Sequence, residues 1–428
     1  MTTDTVHSAP QNKLSFKGLV AGLSFGHGIK HFAQSAFLML VPGLKETLDI
    51  SGLGMGSIQS IQNVSSAVSN IPAGALTDIY PNRIRWLLIF SMAMLGLGYV
   101  TLSSVDDYWM VCLAVAFVGF GQSFWHAPAF GTLAARYPTQ RGLAISLHLT
   151  GAQVGNTLGP FVIGIFLDGI ALTSLGILSF DIDALLNWRQ VSLLTGGLCL
   201  VTCPVIFLSM KDDASLKLNT ENKLQAYLAS GRELLKNRHV IGYTLLGGLR
   251  GAVHGSFTLF VVIYMAEALD FSQFKIGFHI ALLTAAGVIS TPIMGHLSDN
   301  IGRKPVIITA MCIMAMLIPA FLVIPIGIPF TIGLAVLGLV FFSVMPIITA
   351  AAQDSAGSGS EGSVTAMMFL GLSLVSLSSP PIAGKIYDSA DFDGVIVFCT
   401  AVAVAGALLA IILPTPPSPK VPETVTKV

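Results

Sequence analysis

The chain has little charge. Of its 428 residues only 10% are Asp, Glu, Lys or Arg, where soluble domains carry about 25%. With 53% hydrophobic residues, that deficit excludes an ordinary soluble globular protein and points to a membrane protein. Net charge is zero, so the basic footprint of a nucleic-acid binder is missing. Cysteine is scarce: Cys112, Cys199, Cys203, Cys312 and Cys399 all lie in apolar stretches, without a C-x-x-C pair or a metal-ligand spacing. They read as packing thiols. No G-x4-G-K-[ST] loop occurs, which argues against an ATP-driven pump. No nucleophile or metal constellation near an interface suggests an enzyme, and nothing calls for a cofactor. The opening "MTTDTVHSAPQNK" lacks the basic, apolar and small-residue order of a cleavable signal, so the first apolar run is expected to remain as a membrane span.

What the chain has is apolar length. A membrane helix needs about 20 mostly apolar residues, and twelve runs qualify: 16–41, 53–77, 85–104, 108–136, 142–168, 188–210, 239–267, 274–298, 304–325, 328–352, 363–388 and 394–414. None alternates as barrel strands do. The expected fold is all-α, a polytopic membrane protein of twelve transmembrane helices. Segment 211–238 carries six basic residues, with Leu224, Tyr227, Leu228, Leu234 and Leu235 near helical spacing. It reads as a cytoplasmic amphipathic linker lying on membrane lipid, and Pro-rich 415–428 as a disordered tail. The expected organisation is a bundle over 1–210, the linker, and a second bundle over 239–414. Sixteen of the 22 Lys and Arg fall in alternate loops and the termini, and four on the opposite side. That bias orients both termini to the cytoplasm, in a multi-pass protein of the cytoplasmic membrane. The remaining two, Lys30 and Arg250, lie inside spans.

The chain repeats itself. "GALTD" at 74–78 recurs as "GHLSD" at 295–299. At an offset of 220, Gly142, Gly151, Pro160, Gly164 and Asp168 of the fifth span meet Gly362, Gly371, Pro380, Gly384 and Asp388 of the eleventh. Identities at Gly, Pro and Asp carry backbone meaning. Two parallel six-helix pseudo-repeats follow, and such halves hold their site near the bilayer midplane.

These residues carry a resemblance to the major facilitator superfamily over nearly the whole length. The loop motif G-x-L-x-D-x-x-G-R-[RK] is close at Gly295, Leu297, Asp299, Gly302, Arg303 and Lys304, and looser at Gly74, Leu76, Asp78, Arg83 and Arg85. The resemblance implies two bundles rocking about a central cavity. It also implies a cytoplasmic gate latched by Asp78 with Arg83 and by Asp299 with Arg303 and Lys304. The alternative is plain helix capping with positive-inside arginines. More finely, "GFGQSFWHAPAFGTLAARYPTQRGLAIS" and "GAQVGNTLGP" resemble the fosmidomycin-resistance branch of drug and organic-anion exporters. The fifth span is similar to the antiporter motif G-x8-G-x3-G-P at Gly142, Gly151 and Gly155, but Asn156 stands in place of the Pro. The family's fourth-span Arg has no counterpart, because 108–135 contains no Arg.

The stretch "GHGIKHF" at 26–32 needs a reason for three titratable side chains in a membrane span. On a helix His27, Lys30, His31 and Gln34 share one face. Lys30 lies roughly 20 Å from either end of its span, too deep to snorkel well. At offset 220 it maps onto Arg250, which shares a face with His254 and Thr258. The acidic residues fall at helix ends or in loops, and none near mid-span. Two buried cations without an internal counter-charge imply that the counter-charge arrives as a small anionic substrate. Candidate substrate-binding residues are Lys30, Arg250, His31, His254, Gln34, His126, Asn63 and Gln153. Candidate proton-coupling residues are His27, His31, His126 and His254, since imidazole titrates between pH 5 and 8. Other readings stay open. The cations can bond helix carbonyls or water, Lys30 can be neutral, and the histidines can hydrogen-bond without titrating. The polar stripe Gln59, Gln62, Asn63, Ser66 and Asn70 can serve helix packing. A metal at His27 and His31 is disfavoured by the intervening Lys30 and the missing carboxylate, so no metal is assigned. The reading is a monomeric, proton-coupled secondary carrier exporting an organic anion. The alternatives are a carboxylate uptake symporter, an anion exchanger, or a transport-inactive receptor.

Overall fold

A backbone in hydrocarbon must satisfy its own N–H and C=O groups, and a helix does so within one segment. The computed structural model describes residues 16–137, 140–170, 182–210, 232–356 and 361–415, and helices dominate them. They are α1 (Phe16–Thr47), α2 (Gly52–Ile79), α3 (Ile84–Leu102), α4 (Tyr108–Ser123), α5 (His126–Arg136), α6 (Arg141–Asp168) and α7 (Trp188–Ser209) in the first half. The second half holds α8 (Arg238–Glu267), α9 (Gln273–Ile301), α10 (Arg303–Ala320), α11 (Ile328–Ala356) and α12 (Glu361–Ile412). The strand content of the described residues is a two-residue antiparallel ladder, Gly169–Ile170 against Ile182–Asp183. Most of the expected linker (211–231) and of the expected tail (416–428) lie outside the described residues.

Several helix starts carry side-chain caps. Ser51 accepts from the Gly54 N–H, Asp107 from Trp109 and Met110, Asn237 from His239 and Val240, and Asn187 closes a capping box with Gln190. Each satisfies backbone donors that have no intrahelical partner. The expected fourth span is two helices. It breaks at Phe124–Trp125, because Pro128 has no N–H for the Phe124 carbonyl four residues back. The eleventh and twelfth spans are the two arms of α12, broken at Ala390 and Asp391, where Asp391 takes φ 51°. Eight stretches among the described residues are long and apolar enough to cross a bilayer. Helices α1, α2 and α6, at 32, 28 and 28 residues, are long enough but are interrupted by polar side chains. They carry Lys30, Asn63 and Asn156.

In the first half α1 packs on α6 and α7, α3 on α4 and α7, and α2 on α4. In the second, α8 packs on α12 and α11, α9 on α11, and α10 on α11 and α12. The halves meet where α2 lies on α12 and α6 on α9. Three of the five repeated pairs, Pro160 with Pro380, Gly164 with Gly384 and Asp168 with Asp388, form these two crossings. A Cβ on Gly277 of α9 would sit 2.3 Å from the Pro160 carbonyl of α6, and one on Gly56 of α2 would sit 2.1 Å from the Pro380 carbonyl of α12. Gly164 abuts the Gln273 carbonyl and Gly384 the Gly52 carbonyl in the same paired way. Asp168 accepts from the Phe274 N–H at 3.3 Å, and Asp388 accepts from Gly52 and Leu53 at 2.6 and 2.9 Å. Each carboxylate thus caps the first turn of a helix in the other half. Lys45 adds an ion pair to Glu267 at 2.5 Å, and the Tyr387 hydroxyl donates to the same carboxylate at 2.9 Å. These contacts gather at the end of the bundle opposite the two G-x-L-x-D loops. At the loop-motif end, by contrast, a Cβ on Gly74 or Gly295 would meet nothing within 4 Å.

Inside the first half α1 and α6 touch backbone to backbone. A Cβ on Gly151 would lie 2.0 Å from the Ser24 carbonyl, and one on Gly155 would lie 2.1 Å from that of Gly28. We expect Gly155→Leu to force these helices apart, costing on the order of 1–3 kcal/mol. A lowered melting temperature of the purified protein checks this, and Gly74→Ala should leave it unchanged. We also expect Asp168→Ala with Asp388→Ala to loosen the closed end. Each cap is worth roughly 1 kcal/mol, so the open population should rise about tenfold or more. Spin-label distances between Glu46 and Lys385, on opposite halves, measure it, and an unchanged distribution would show that the caps do not hold the closure.

Candidate functional site

Helix α1 delivers His27, Lys30 and His31 on one face, at positions i, i+3 and i+4. The helix break at Phe124–Trp125 turns His126 of α5 toward them, and α6 brings His148 and Asn156. Trp125, wholly buried, lies nearly parallel to His27 and His148, with ring centroids 6.2 and 6.4 Å away. The His27 and His148 rings stack at 4.0 Å. Gly26 makes room for this arrangement, because a Cβ there would lie 2.3 Å from the Trp125 ring. The close α1–α6 approach then sets Asn156 against His31.

The hydrogen bonds form a directed chain. His27 Nδ1 donates to the His148 carbonyl at 3.0 Å, so its Nε2 is the free acceptor of a neutral ring. His31 Nε2 lies 3.2 Å from that atom, and His31 Nδ1 lies 3.2 Å from Asn156 Oδ1. Lys30 Nζ donates to His126 Nε2 at 2.8 Å. Lys30 is 2% exposed. No carboxylate pairs with it among the described residues. Ring nitrogens of His27, His31 and His126 lie within 4.8 Å of one another, a spacing that a metal ion can use. Here, however, the ammonium of Lys30 donates to the third ring and the cluster contains no acid, so we do not read it as a metal centre.

Arg250 forms a second basic centre on α8. It is 7% exposed and has no hydrogen-bond or ion-pair partner among the described residues. One turn on, His254 packs its ring 5.2 Å from both Phe341 and Phe342 of α11. Arg250 Nε, His254 Nε2 and Thr258 Oγ1 are all buried and unpaired. The three share one helix face, and buried polar groups are rarely left so.

The other expected site residues are more dispersed. Gln34 is exposed and Gln153 half-buried, and neither bonds the Lys30 cluster among the described residues. Asn63 accepts from Gln59 at 3.2 Å within α2. Part of that polar stripe serves helix packing, since the Ser66 and Ser123 hydroxyls meet at 2.7 Å; beside it Ser65 donates to the Ala116 carbonyl at 2.6 Å. At the loop-motif end Arg303 pairs with Asp299 and donates to Ser298 at 2.7 Å and to Asp354 at 3.3 Å. It thereby ties α10 to α9 and α11 of its own half. Lys304 is half-buried and Arg83 exposed, while the Asp78 side chain lies outside the described residues. A mostly apolar crevice of about 510 Å³ between α2, α4 and α12, lined by Ser57, Ile61, Val68, Phe120 and Leu377 among others, includes none of the basic residues. Sequence reasoning left His148 and Asn156 out of the site proper. The signal for Asn156 was its place where the antiporter motif has Pro.

The model for the Major Facilitator Superfamily matches residues 23–375 and 249–427. The Fosmidomycin resistance protein of Escherichia coli (strain K12) is 27% identical over 160 residues, 37% of this chain and 39% of that protein. The match thus spans less than half of that relative. Among solved structures, a bacterial homologue of the human lysosomal transporter Spinster, inward-facing and unoccupied, superposes with a TM-score of 0.77 at 13% identity, covering 94% of this chain and 98% of that one. The nucleoside transporter NupG gives 0.72 at 11% identity, covering 92% and 98%. A helical membrane fold, a doubled loop motif and a family match running through both halves agree: this chain belongs to the Major Facilitator Superfamily and is a membrane transporter.

Proposed function

We propose that the protein carries a small organic anion of the carboxylate, phosphate or phosphonate type across the cytoplasmic membrane by alternating access, coupled to protons and favouring export. In this reading it acts as a monomer. The halves 1–210 and 239–414 rock about the site, joined by 211–238, with both termini cytoplasmic. The observation that carries the reading is the pair Lys30 and Arg250. Both are buried cations at equivalent positions of the repeat, and neither has a carboxylate partner among the described residues. A buried cation costs several kcal/mol unless paired. Acids at the helix ends are spent there: Glu267 on Lys45, Asp168 and Asp388 on helix N-termini, Asp299 and Asp354 on Arg303. The cargo supplies the missing charge. Arg250 offers a planar fork for a bidentate anion, and Lys30 a point charge.

Lys30 already donates to a neutral imidazole. An anion replacing His126 as its acceptor makes a stronger, charge-assisted bond and releases the imidazole. The bound anion also offsets the like-charge repulsion that opposes a proton on His27, His31 or His126 beside Lys30. Anion and proton binding are then linked, which is the thermodynamic requirement for coupling; a linkage of this sign by itself fits co-transport, so it does not supply the export direction. With cytoplasmic termini, the closed end is the outer one and the conformation is inward-facing. The exporter direction draws its support from the likeness to the fosmidomycin resistance protein.

A ligand that binds only the folded state raises its melting temperature. We expect a screen of carboxylates, phosphates and phosphonates to find one that stabilises the wild type. Lys30→Ala and Arg250→Ala should each lose that stabilisation and cut transport in liposomes about 10–100-fold, the equivalent of a charge-assisted bond of roughly 1.5–3 kcal/mol. Wild-type rates in both variants would defeat the site assignment. We further expect an imposed pH gradient to drive the same anion uphill and a protonophore to abolish the accumulation. Flux indifferent to the gradient leaves plain exchange.

A further inference from the structure

Asn156 joins the histidine chain to the seam between the halves. Its amide meets His31 Nδ1 at 3.2 Å, and its main-chain carbonyl lies 3.5 Å from the Thr284 hydroxyl of α9 in the other half. The hydrogen-bond chain constrains what this amide can do. The His148 carbonyl can only accept, so a neutral His27 carries its proton on Nδ1 and presents a bare Nε2. His31 must therefore donate from Nε2. A neutral His31 then has a bare Nδ1, which cannot bond the carbonyl end of Asn156, because both atoms are acceptors. Three arrangements satisfy every atom. An added proton on His31, or on His27 with its Nε2 then donating to His31, leaves His31 Nδ1–H donating to Asn156 Oδ1, and with both rings neutral the amide is turned so that its NH2 donates to Nδ1.

We propose that Asn156 is the positioning residue that registers the proton on His31 Nδ1, its amide accepting when the proton is present and donating when it is absent. The assignment rests on the proton-coupled reading above. Asparagine suits the task because it offers a donor and an acceptor from one short planar group. The Pro found at this place in the antiporter motif has neither in its side chain. The charged and titratable groups around His31 are His27 and Lys30 on α1, His126 on α5 and His148 on α6. The Tyr99 hydroxyl of α3 donates to the Ala33 carbonyl of α1, and α9 offers Thr284 at this depth. None of these is an acid, so the Asn156 carbonyl is the group that receives an added proton at Nδ1. The motif glycines that precede it, Gly151 and Gly155, hold α6 on the α1 backbone, so the amide turns against a fixed partner.

The test uses the proton itself as the probe, on the full chain in lipid nanodiscs. Spin labels at the exposed Asn82 and Asn300 report the opening of the loop-motif end between pH 5 and 9, with no anion added. We expect the wild-type distance distribution to change with a single midpoint. Asn156→Asp gives the protonated His31 a permanent acceptor and moves that midpoint alkaline. Asn156→Leu removes the acceptor and moves it acid. Each shift should reach at least about half a pH unit, about threefold in proton affinity. Opposite shifts are not what a purely structural role yields. Asn156→Asp, nearly isosteric, carries the test alone if the leucine variant fails to fold. A pH-dependent wild type with an unmoved midpoint in the variants overturns the role of Asn156. A wild type without pH dependence overturns the coupling reading on which it rests.

Discussion

An ammonium buried at the depth of the bilayer centre must give its protons to something, and in this protein Lys30 gives one to a neutral imidazole. The Lys30–His126 bond at 2.8 Å depends on much of the first half. His126 reaches Lys30 because α4 and α5 break at Phe124–Trp125. Trp125 fits because residue 26 has no side chain. His31 meets Asn156 because α1 and α6 approach at Gly28, Gly151 and Gly155 with no Cβ between them. Such a bond is satisfied without being neutralised. A carboxylate in place of His126 would cancel the charge and leave little for an incoming anion to gain. An imidazole keeps Lys30 hydrogen-bonded while leaving its charge uncompensated.

The seam between the halves follows a different logic. There the carboxylates are used, and they are used twice. Asp168 caps α9 and Asp388 caps α2, with Pro160 on Gly277 and Pro380 on Gly56 beside them. Each crossing is one helix end of one half seated on a helix start of the other, and the pseudo-repeat makes two of them. A carboxylate on a helix N-terminus is a short-range contact that fades within the first turn. It can therefore latch one end of the bundle and release it after a small rotation. Arg303 shows the other kind of use. Its partners Asp299, Ser298 and Asp354 all belong to its own half, so it stiffens the second bundle at the loop-motif end in this conformation.

Much of this was legible in the residues, and for physical reasons. Twelve apolar runs imply twelve spans because a helix rises 1.5 Å per residue through a hydrocarbon core of about 30 Å. The repeated Gly, Pro and Asp marked the crossings because those residues are kept where backbones touch or helix ends need caps. Lys30 and Arg250 stood out because charge at that depth is expensive. Other features were not legible. The fourth span's break depends on which carbonyl a proline leaves unpaired, and a hydropathy run does not register that. Asn156 read as one polar residue among several, because only the α1–α6 approach selects it over Gln153 as the partner of His31. The stripe on α2 includes Asn63, a substrate-binding candidate, yet its Ser66 is spent on Ser123 of α4. Periodicity identifies a polar face without saying whether it meets water or another helix.

The two basic centres differ in a way that suits alternating access. In the first half Lys30 donates to His126, beside the hydrogen-bonded run from the His148 carbonyl through His27 and His31 to Asn156, while both ring nitrogens of His148 are buried and unpaired. In the second, Arg250, His254 and Thr258 each leave a buried atom unpaired along one helix face, against the aromatic wall of Phe341 and Phe342. In the proposed reading, an anion bound between them gains most from Arg250, which has no partner among the described residues, where Lys30 already has His126. Lys30 is the side where binding rearranges existing bonds. Rearrangement is what coupling requires, since an equilibrium shifts only by the difference in interaction between its two states. In this reading the second half holds the anion, and the first half converts its arrival into a change of proton and of amide orientation beside the seam. The absence of a mid-span carboxylate then serves both halves. It leaves Arg250 in need of a negative partner, and it keeps the charge of Lys30 from being neutralised before that partner arrives.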